Sequence, residues 1–463
     1  MTLDDTIVAL ATPIGKSAIA VIRISGERAI PIVKSVFHGP NLSKVASHSA
    51  TYGHIKNPST QEIIDEVMLT VLLAPRTFTC EDSIEISCHG SMYVVKKILE
   101  VLVKAGCRYA TEGEFTKRAF INGRIDLAQA EAVADIIAAD TQAQHAIAIN
   151  NLRSGITTDL QSLRTQLVDF AALLELELDF SEEDVAFADR SKLQELLQHC
   201  TLHLQELANT FQYGNAIKQG IHVVIAGSPN AGKSTLLNSL INDDRALVSD
   251  IAGTTRDTIE ELLNMEGLLF RFVDTAGLRE NTLDVIEKMG MIKTETEIKK
   301  ATLLLYLFDA TTPVVHALEQ DIAKYKTPHL KIIIVANKID LLAQMQATEV
   351  LQQLQKTGES YVMISAKSKI NIDALKKNMI DFVSEKAPPT NQTIVYNERH
   401  SQELHHAIAS LEQVKSAFEI GTPTDLIAID LRKTLYHIGC ITGEVDIDKD
   451  ILGSIFSKFC IGK

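Results

Sequence analysis

The chain is predicted to be a multidomain protein that joins an α/β domain to an α+β domain and to a separate helical region. Three observations predict this. Between residues 220 and 383, short apolar strand-like runs alternate with helical segments, the pattern of a mostly parallel sheet with helices on both faces. Residues 1–120 mix strand-like runs with one helical stretch, an α+β pattern. Residues 121–219 and 384–463 follow helical periodicity on either side of the alternating segment. This arrangement predicts one discontinuous helical domain with the α/β domain inserted in it. The length of 463 residues suits about three domains.

In the first segment the strand-like runs are 19–24, 67–73 and 83–87, with a helix over 93–105. From Asp126 the residues Leu127, Ala130, Val133, Ile136 and Ile137 recur at helical spacing, and helix formers continue to about Leu178. A second helix is expected over 191–213, with Gly214 and Gly220 punctuating the chain after it. The α/β strands are read at 222–226, 269–274, 303–309, 331–336 and 361–365, and Pro388-Pro389 marks the exit.

Apolar residues make up 46% and charged residues 22%, enough to bury real cores. The formal net charge of −14 makes the chain a poor general binder of nucleic acid, because phosphate affinity rests on Lys and Arg. Any nucleic-acid role therefore needs a local basic patch or a basic partner. The six cysteines, at 80, 88, 107, 200, 440 and 460, show no CxxC spacing, which argues against zinc and for reduced thiols. Asp4 and Asp5 stand where a signal peptide requires positive charge. No apolar run approaches the roughly 18 residues of a membrane helix. A cytoplasmic protein without membrane contact is expected.

The residues 227–234, Gly-Ser-Pro-Asn-Ala-Gly-Lys-Ser, fit GxxxxGK[ST] between a strand and a helix. Main-chain N–H groups around such a loop cradle phosphate oxygens, Lys233 reaches the β- and γ-phosphates, and the Ser234 hydroxyl holds Mg²⁺. Asp274-Thr275-Ala276-Gly277 ends a strand; Asp274 can bind Mg²⁺ through water and the Gly277 N–H can sense the γ-phosphate. Thr255 lies in a helix-to-strand loop and is placed to close over Mg²⁺ as a switch. Asn337-Lys338-Ile339-Asp340 follows a strand. The Asp340 carboxylate can accept from guanine N1–H and the N2 amine, whereas adenine would leave it facing a lone pair. Ser365-Ala366-Lys367 supports the base from the other side. The GTP-contacting set is thus Asn230, Ala231, Gly232, Lys233, Ser234 and Thr235; Ser249, Asp250, Ile251, Ala252, Gly253, Thr254 and Thr255; Asp274, Thr275, Ala276 and Gly277; Asn337, Lys338 and Asp340; and Ser365, Ala366 and Lys367.

Ras-type enzymes place a water-orienting Gln directly after this Asp-Thr-Ala-Gly motif, but Leu278 occupies that position. No arginine finger is evident in the switch either, so hydrolysis needs another base and another positive charge. The Asn230 carbonyl, with backbone oxygens near Ser249 and Ile251, can hold a K⁺ that bridges the phosphates and supplies that charge. The alternative is that Asn230 only shapes the loop.

With these motifs placed, the chain resembles the MnmE (TrmE) family of tRNA-modification GTPases over nearly its whole length. The resemblance rests on residues 5–9 and 11–13, Ile22-Arg23-Ile24-Ser25-Gly26, Phe78-Thr79-Cys80-Glu81-Asp82, and Cys88-His89-Gly90. It continues through 113–120, Asn122-Gly123-Arg124, 126–132 and the terminal Phe459-Cys460-Ile461-Gly462-Lys463. Ser91 stands where another Gly is common in the family.

The resemblance implies an inserted Ras-like doubly wound P-loop domain and an N-terminal folate-binding-like domain that also dimerises. It further implies action with an FAD-dependent partner of the GidA or MnmG type on tRNA. The product carries a carboxymethylaminomethyl or aminomethyl group at C5 of the wobble uridine, its one-carbon unit coming from a reduced folate (formyl- or methylene-tetrahydrofolate). Folate-site positions fall on Arg23, Glu85, Arg124 and Lys463. K⁺-dependent pairing of GTPase domains places the K⁺ site on Asn230, Ser249, Ile251 and Thr254 and the Mg²⁺ site on Ser234 and Thr255. The general base maps to Glu287 and its helper to Arg279, although one extra residue stands between Leu278 and Glu287. Cys460 is a candidate thiol at the terminus, its alternative role being that of a small apolar residue. The rival readings are a ribosome-assembly GTPase switch without modification chemistry and a free folate-dependent transferase regulated by GTP.

Overall fold

The computed structural model describes residues 5–153, 155–179, 190–242, 260–273, 295–312, 315–327, 330–389 and 392–444, together with 455, 459 and 462. The chain forms two compact units. Unit 1 comprises Met1–Ala138, Ala148–Thr201 and His406–Lys463; unit 2 comprises Ala139–Ile147 and Leu202–His405.

Unit 1 contains a seven-stranded sheet built from β1 (Ile7–Leu10), β2 (Ile19–Ser25), β3 (Phe37–His38), β4 (Ser49–Lys56), β5 (Ile63–Leu72), β6 (Ser83–His89) and β7 (Arg108–Tyr109), in the order β3-β4-β5-β6-β2-β1-β7. Side chains alternate across a strand, so Ile22, Ile24, Ile84 and Ile86 enter the core while Arg23 and Glu85 face the other way. Two helices, α1 (Ala29–Val36) and α2 (Met92–Lys104), cover the apolar face with Ile32, Val33, Ile98 and Leu102. Fully burying each such side chain is worth about 1.5–3 kcal/mol.

Helices α3 (Glu114–Ile121), α4 (Leu127–Ala138), α5 (Gln142–Leu152) and α6 (Gly155–Asp179) follow. The helical run expected from 126 to about 178 is therefore three helices. Its first break has a local cause: Thr141 Oγ1 accepts from Gln144 N at 3.2 Å, and Gln144 Oε1 accepts from the N–H groups of Asp140 and Thr141. That reciprocal cap starts a new helix inside a stretch of good helix formers. A further stop splits the expected 191–213 helix into α7 (Arg190–Asn209) and α8 (Phe211–Gln219). Gly214, read as punctuation, lies inside α8. A Cβ there would stand 2.3 Å from the Val395 carbonyl oxygen, so the glycine permits a close approach.

Unit 2 holds a six-stranded sheet of β8 (Ile221–Gly227), β9 (Glu260–Met265), β10 (Leu268–Val273), β11 (Leu303–Asp309), β12 (Lys331–Asn337) and β13 (Ser360–Met363), ordered β13-β12-β11-β8-β10-β9. Every pairing is parallel except β9 with β10. The antiparallel edge strand β9 was not anticipated; Glu260, Glu261 and Asn264 interrupt its apolar pattern. The central strands read as continuous apolar runs because both faces are covered. Leu303, Leu305 and Leu307 join one core, and Leu304, Tyr306 and Phe308 the other. Among the described residues the helices of unit 2 include α9 (Lys233–Asn242), α10 (Val315–Tyr325), α11 (Gln344–Lys356), α12 (Ile372–Glu385) and the first residues of α13 (Glu398–Glu419). In unit 1, α14 (Thr424–Thr442) packs on α6, with Arg164 pairing to Glu444 at 3.0 Å. Among the described residues no helix is long and apolar enough to cross a membrane.

Candidate active site

Strand order reverses at β8, whose neighbours are β10 on one side and β11 on the other. Ligands bind at the carboxyl ends of strands at such a switch point, and there the chain places residues 227–234. Gly227 has φ +135°, and a Cβ on it would lie 1.8 Å from the Leu307 carbonyl oxygen. Only glycine lets the loop leave β8 pressed against β11. The Ser228 N–H donates to that same carbonyl at 3.1 Å. Asn230 adopts φ +58°, a left-handed conformation that Asn tolerates better than most residues, and its side chain is exposed. Helix α9 then begins at Lys233, so its first-turn N–H groups and its dipole point into the loop.

The ammonium of Lys233 donates to the carbonyls of Gly227 at 3.0 Å and Ser228 at 2.9 Å. It lies across the loop where phosphates would sit. Ser234 and Thr235 are exposed at the start of α9, and the Ser234 hydroxyl suits a hard, oxygen-ligated cation such as Mg²⁺.

The base-reading segments converge on this loop through one residue. Asn337 Nδ2 donates to Ala231 O at 2.7 Å, and Asn337 Oδ1 accepts from Ala366 N at 2.9 Å. A Cβ on Gly232 would crowd Asn337 Nδ2 at 2.6 Å, so that glycine makes room for the tie. Asp340 is exposed on a 3₁₀ turn, Ile339–Leu341, anchored by Ile339 N donating to Ile364 O at 3.2 Å. Lys338 pairs with Asp309 at 2.6 Å. Burial pushes the Asp309 carboxyl up, but hydrogen bonds from Lys338 and Thr311 outweigh it, leaving the group below its ordinary value. Asp309 carries no motif spacing; its signal is its place at the end of β11, across from Asn337 on the neighbouring parallel strand.

The structure thus brings together Asn230 to Thr235, Asn337 to Asp340, and Ser365 to Lys367. The remaining positions expected from the sequence to contact the nucleotide or take part in hydrolysis, Ser249 to Thr255, Asp274 to Gly277, Arg279 and Glu287, lie outside the described residues, as do Cys460 and Lys463.

A second constellation lies in unit 1, on the sheet face away from α1 and α2. Arg23 and Glu85, opposite each other on β2 and β6, form an ion pair with Nε and Nη2 at 3.0 and 2.8 Å from Glu85 Oε1. The Arg23 guanidinium stands 5.9 and 5.7 Å from the Phe78 and Phe115 ring centres, and its Nη1 lies 3.5 Å from the Gly462 carbonyl oxygen. Arginine donors, a carboxylate and aromatic faces together can hold a planar, hydrogen-bonding heterocycle. Arg124, expected at the same site, is exposed just before α4 and makes no described contact with this pair.

The fully buried Arg118 braces the neighbourhood. It bonds Asp5 Oδ1 at 2.5 Å, Glu81 Oε1 at 3.1 Å and Glu114 Oε1 at 3.2 Å, while Ser25 Oγ donates to Glu81 Oε2 at 2.7 Å. Arg108 bonds Asp5 and Glu114 as well and, with Arg118, holds the Asp5 carboxyl below its ordinary value. Glu114 is pushed up by burial and pulled further down by Arg108, the Thr111 N–H and Arg118. The network fixes α3, which carries Phe115, against the strand that carries Arg23. Burial pushes the Cys88 and Cys200 thiols up to about 11 and Cys107 up to about 12, so these cysteines are packing residues and not nucleophiles.

A phosphate loop at the switch point, tied by one asparagine to an Asn-Lys-x-Asp base loop, defines a P-loop protein of the GTPase class. Comparison with known proteins agrees. Residues 127–460 match the family described as the MnmE helical domain, and residues 6–124 match the N-terminus of the GTP-binding protein TrmE. The tRNA modification GTPase MnmE of Flavobacterium johnsoniae is 47% identical over 100% of both chains. That of Cytophaga hutchinsonii is 46% identical over 99% of this chain and 98% of its own, and that of Porphyromonas gingivalis 44% identical over 99% and 98%. The chain belongs to the MnmE (TrmE) family and is a GTPase acting in tRNA modification.

Proposed function

We propose that this GTPase works in the cytoplasm as a homodimer with an FAD-dependent partner of the GidA or MnmG type. The pair adds a carboxymethylaminomethyl or aminomethyl group at C5 of the wobble uridine of certain tRNAs. The one-carbon unit comes from a reduced folate held by the N-terminal domain, and the amine joined to it from glycine or from ammonium. The observation that carries this reading is the Arg23–Glu85 pair, set between Phe78 and Phe115 and within reach of the Gly462 carbonyl. A GTPase switch in ribosome assembly would have no use for such a site.

In the nucleotide domain, GTP draws the Lys233 ammonium from the carbonyls of Gly227 and Ser228 onto its β- and γ-phosphates. The first-turn amides of α9 take the α- and β-phosphate oxygens. Ser234, with Thr255, would hold a Mg²⁺, and that ion would supply charge neutralisation for the phosphates. Asn230, with Ser249, Ile251 and Thr254, offers oxygen ligands to a K⁺. Asp340 accepts from the guanine edge. Glu287, helped by Arg279, orients and deprotonates the attacking water.

The test is a reconstitution of full-length chain, FAD partner, GTP, methylene-tetrahydrofolate, glycine or ammonium as the nitrogen source, and unmodified tRNA, in KCl or NaCl, followed by nucleoside analysis. The expected result is a modified wobble uridine, with GTP turnover faster in KCl by at least about tenfold, the size of a lost transition-state charge contact. Unmodified uridine throughout would reject the modification chemistry. Equal turnover in the two salts would reject the K⁺ site alone.

A further inference from the structure

Lys338 has φ +69° and ψ +32°, a backbone conformation that long side chains rarely adopt unless their surroundings hold them there. Its ammonium is held by Asp309 Oδ2 at 2.6 Å, the two side chains being 33% and 17% exposed. Asp309 is itself fixed. Its other oxygen accepts from Thr311 N at 2.9 Å and from Thr311 Oγ1 at 2.7 Å. The next residue, Ala310, donates its N–H to the Asn337 carbonyl at 2.9 Å. The end of β11 is therefore laced to the base loop at two points, one through main chain and one through charge.

We propose that Asp309 is a positioning residue for guanine recognition. By gripping the ammonium from β11, it lays the methylene stem of Lys338 along one wall of the base site and neutralises its charge. This rests on the reading that residues 337–340 take the guanine. Without the carboxylate, the ammonium has water and nucleotide phosphates as alternatives. The stem would then have to be ordered each time a nucleotide binds, and freezing such a side chain weakens binding by roughly tenfold. GTP and GDP share the base, so both should lose equally. Chemistry at the γ-phosphate should not change.

The experiment uses the full-length chain and measures fluorescent GDP and GTP affinity, the KM and kcat of hydrolysis, and the melting temperature. Asp309→Asn is expected to weaken both nucleotides by about tenfold. It should raise KM equally, with kcat and melting temperature unchanged. Asp309→Glu should restore part of the affinity. In a Lys338→Ala background the Asp309→Asn change should cost nothing more, because both substitutions remove the same contact. Additive losses in the double variant, or an unchanged KM in Asp309→Asn, overturn the proposal. Should Asp309→Asn melt early, Thr311→Val decides instead: it frees one bond to Oδ1 and must weaken both nucleotides in the same proportion, and unaltered affinity there overturns the proposal. Wild-type chain that failed to bind guanine nucleotides at all would instead refute the reading of residues 337–340.

Discussion

Asn337 uses both ends of its amide, one toward the phosphate loop and one toward Ala366, and so sets the base loop and the phosphate loop at a fixed spacing. Asp340 is exposed on the 3₁₀ turn that follows, and the proposed function has it meet the guanine edge. Replacing Asp340 by Asn turns one of its two acceptors into a donor, which suits the O2 of xanthine and not the N2 amine of guanine. Competition binding should then show the preference moving from GTP toward xanthosine triphosphate by about 100-fold or more, as expected when a site's hydrogen-bond pattern is reversed. An unchanged ratio would place base reading elsewhere. These residues were legible in the sequence because the contact and the spacing are one thing: Gly227 and Gly232 are glycines since a Cβ would strike Leu307 or Asn337. Asp309 was not legible. A strand-terminal aspartate has no spacing signal, and its meaning depends on a pairing register with a strand 28 positions away in the chain, Asp309 facing Asn337.

At the level of elements, the strand–loop–helix unit from β8 through α9 is the most constrained. Gly227→Ala would force a Cβ into the Leu307 carbonyl, so β8 and β11 must separate at their ends. Isothermal titration of this variant should show GTP binding lost by at least about tenfold, with destabilisation of roughly 1–3 kcal/mol from the strained φ. Binding within threefold of wild type would show that the loop tolerates the shift. The alternation of apolar runs and helices revealed this sheet from sequence, but not β9, whose charged edge hides its period. The helix breaks at Thr141 and Thr210 were equally hidden. They are set by caps and packing inside stretches whose intrinsic preference is helical, so propensity alone reads through them.

For the whole molecule, the carboxylate network of unit 1 should contribute to stability against acid. The carboxyls of Asp5 and Glu114 sit below their ordinary values of 3.8 and 4.5. A depressed folded-state value contributes stability that is complete above the ordinary value and is lost as pH falls through the folded one. The unfolding midpoint followed by circular dichroism should therefore hold steady above about pH 5 and drop steeply below about pH 4. Arg118→Met, which leaves Asp5, Glu81 and Glu114 without their buried cation, should cost about 3–5 kcal/mol at neutral pH, while the acid limb should be flattened only in part, because Arg108 still holds Asp5 and Glu114. A variant that kept wild-type stability and the full acid limb would show that the network contributes little. The ion pairs were invisible in sequence because Asp5, Glu81, Glu114 and Arg118 share no period; the topology of the sheet collects them.

The contact between Gly462 and Arg23 joins positions 439 apart in the chain. Gly462 packs so closely on the first strand that a Cβ would fall 2.3 Å from the Leu10 carbonyl oxygen. During synthesis the early sheet can begin to pair before residue 462 has been made, but the surroundings of Arg23 stay incomplete until Gly462 reaches them. That contact is a high-contact-order event, so the sheet can stand folded before its Arg23 face is closed.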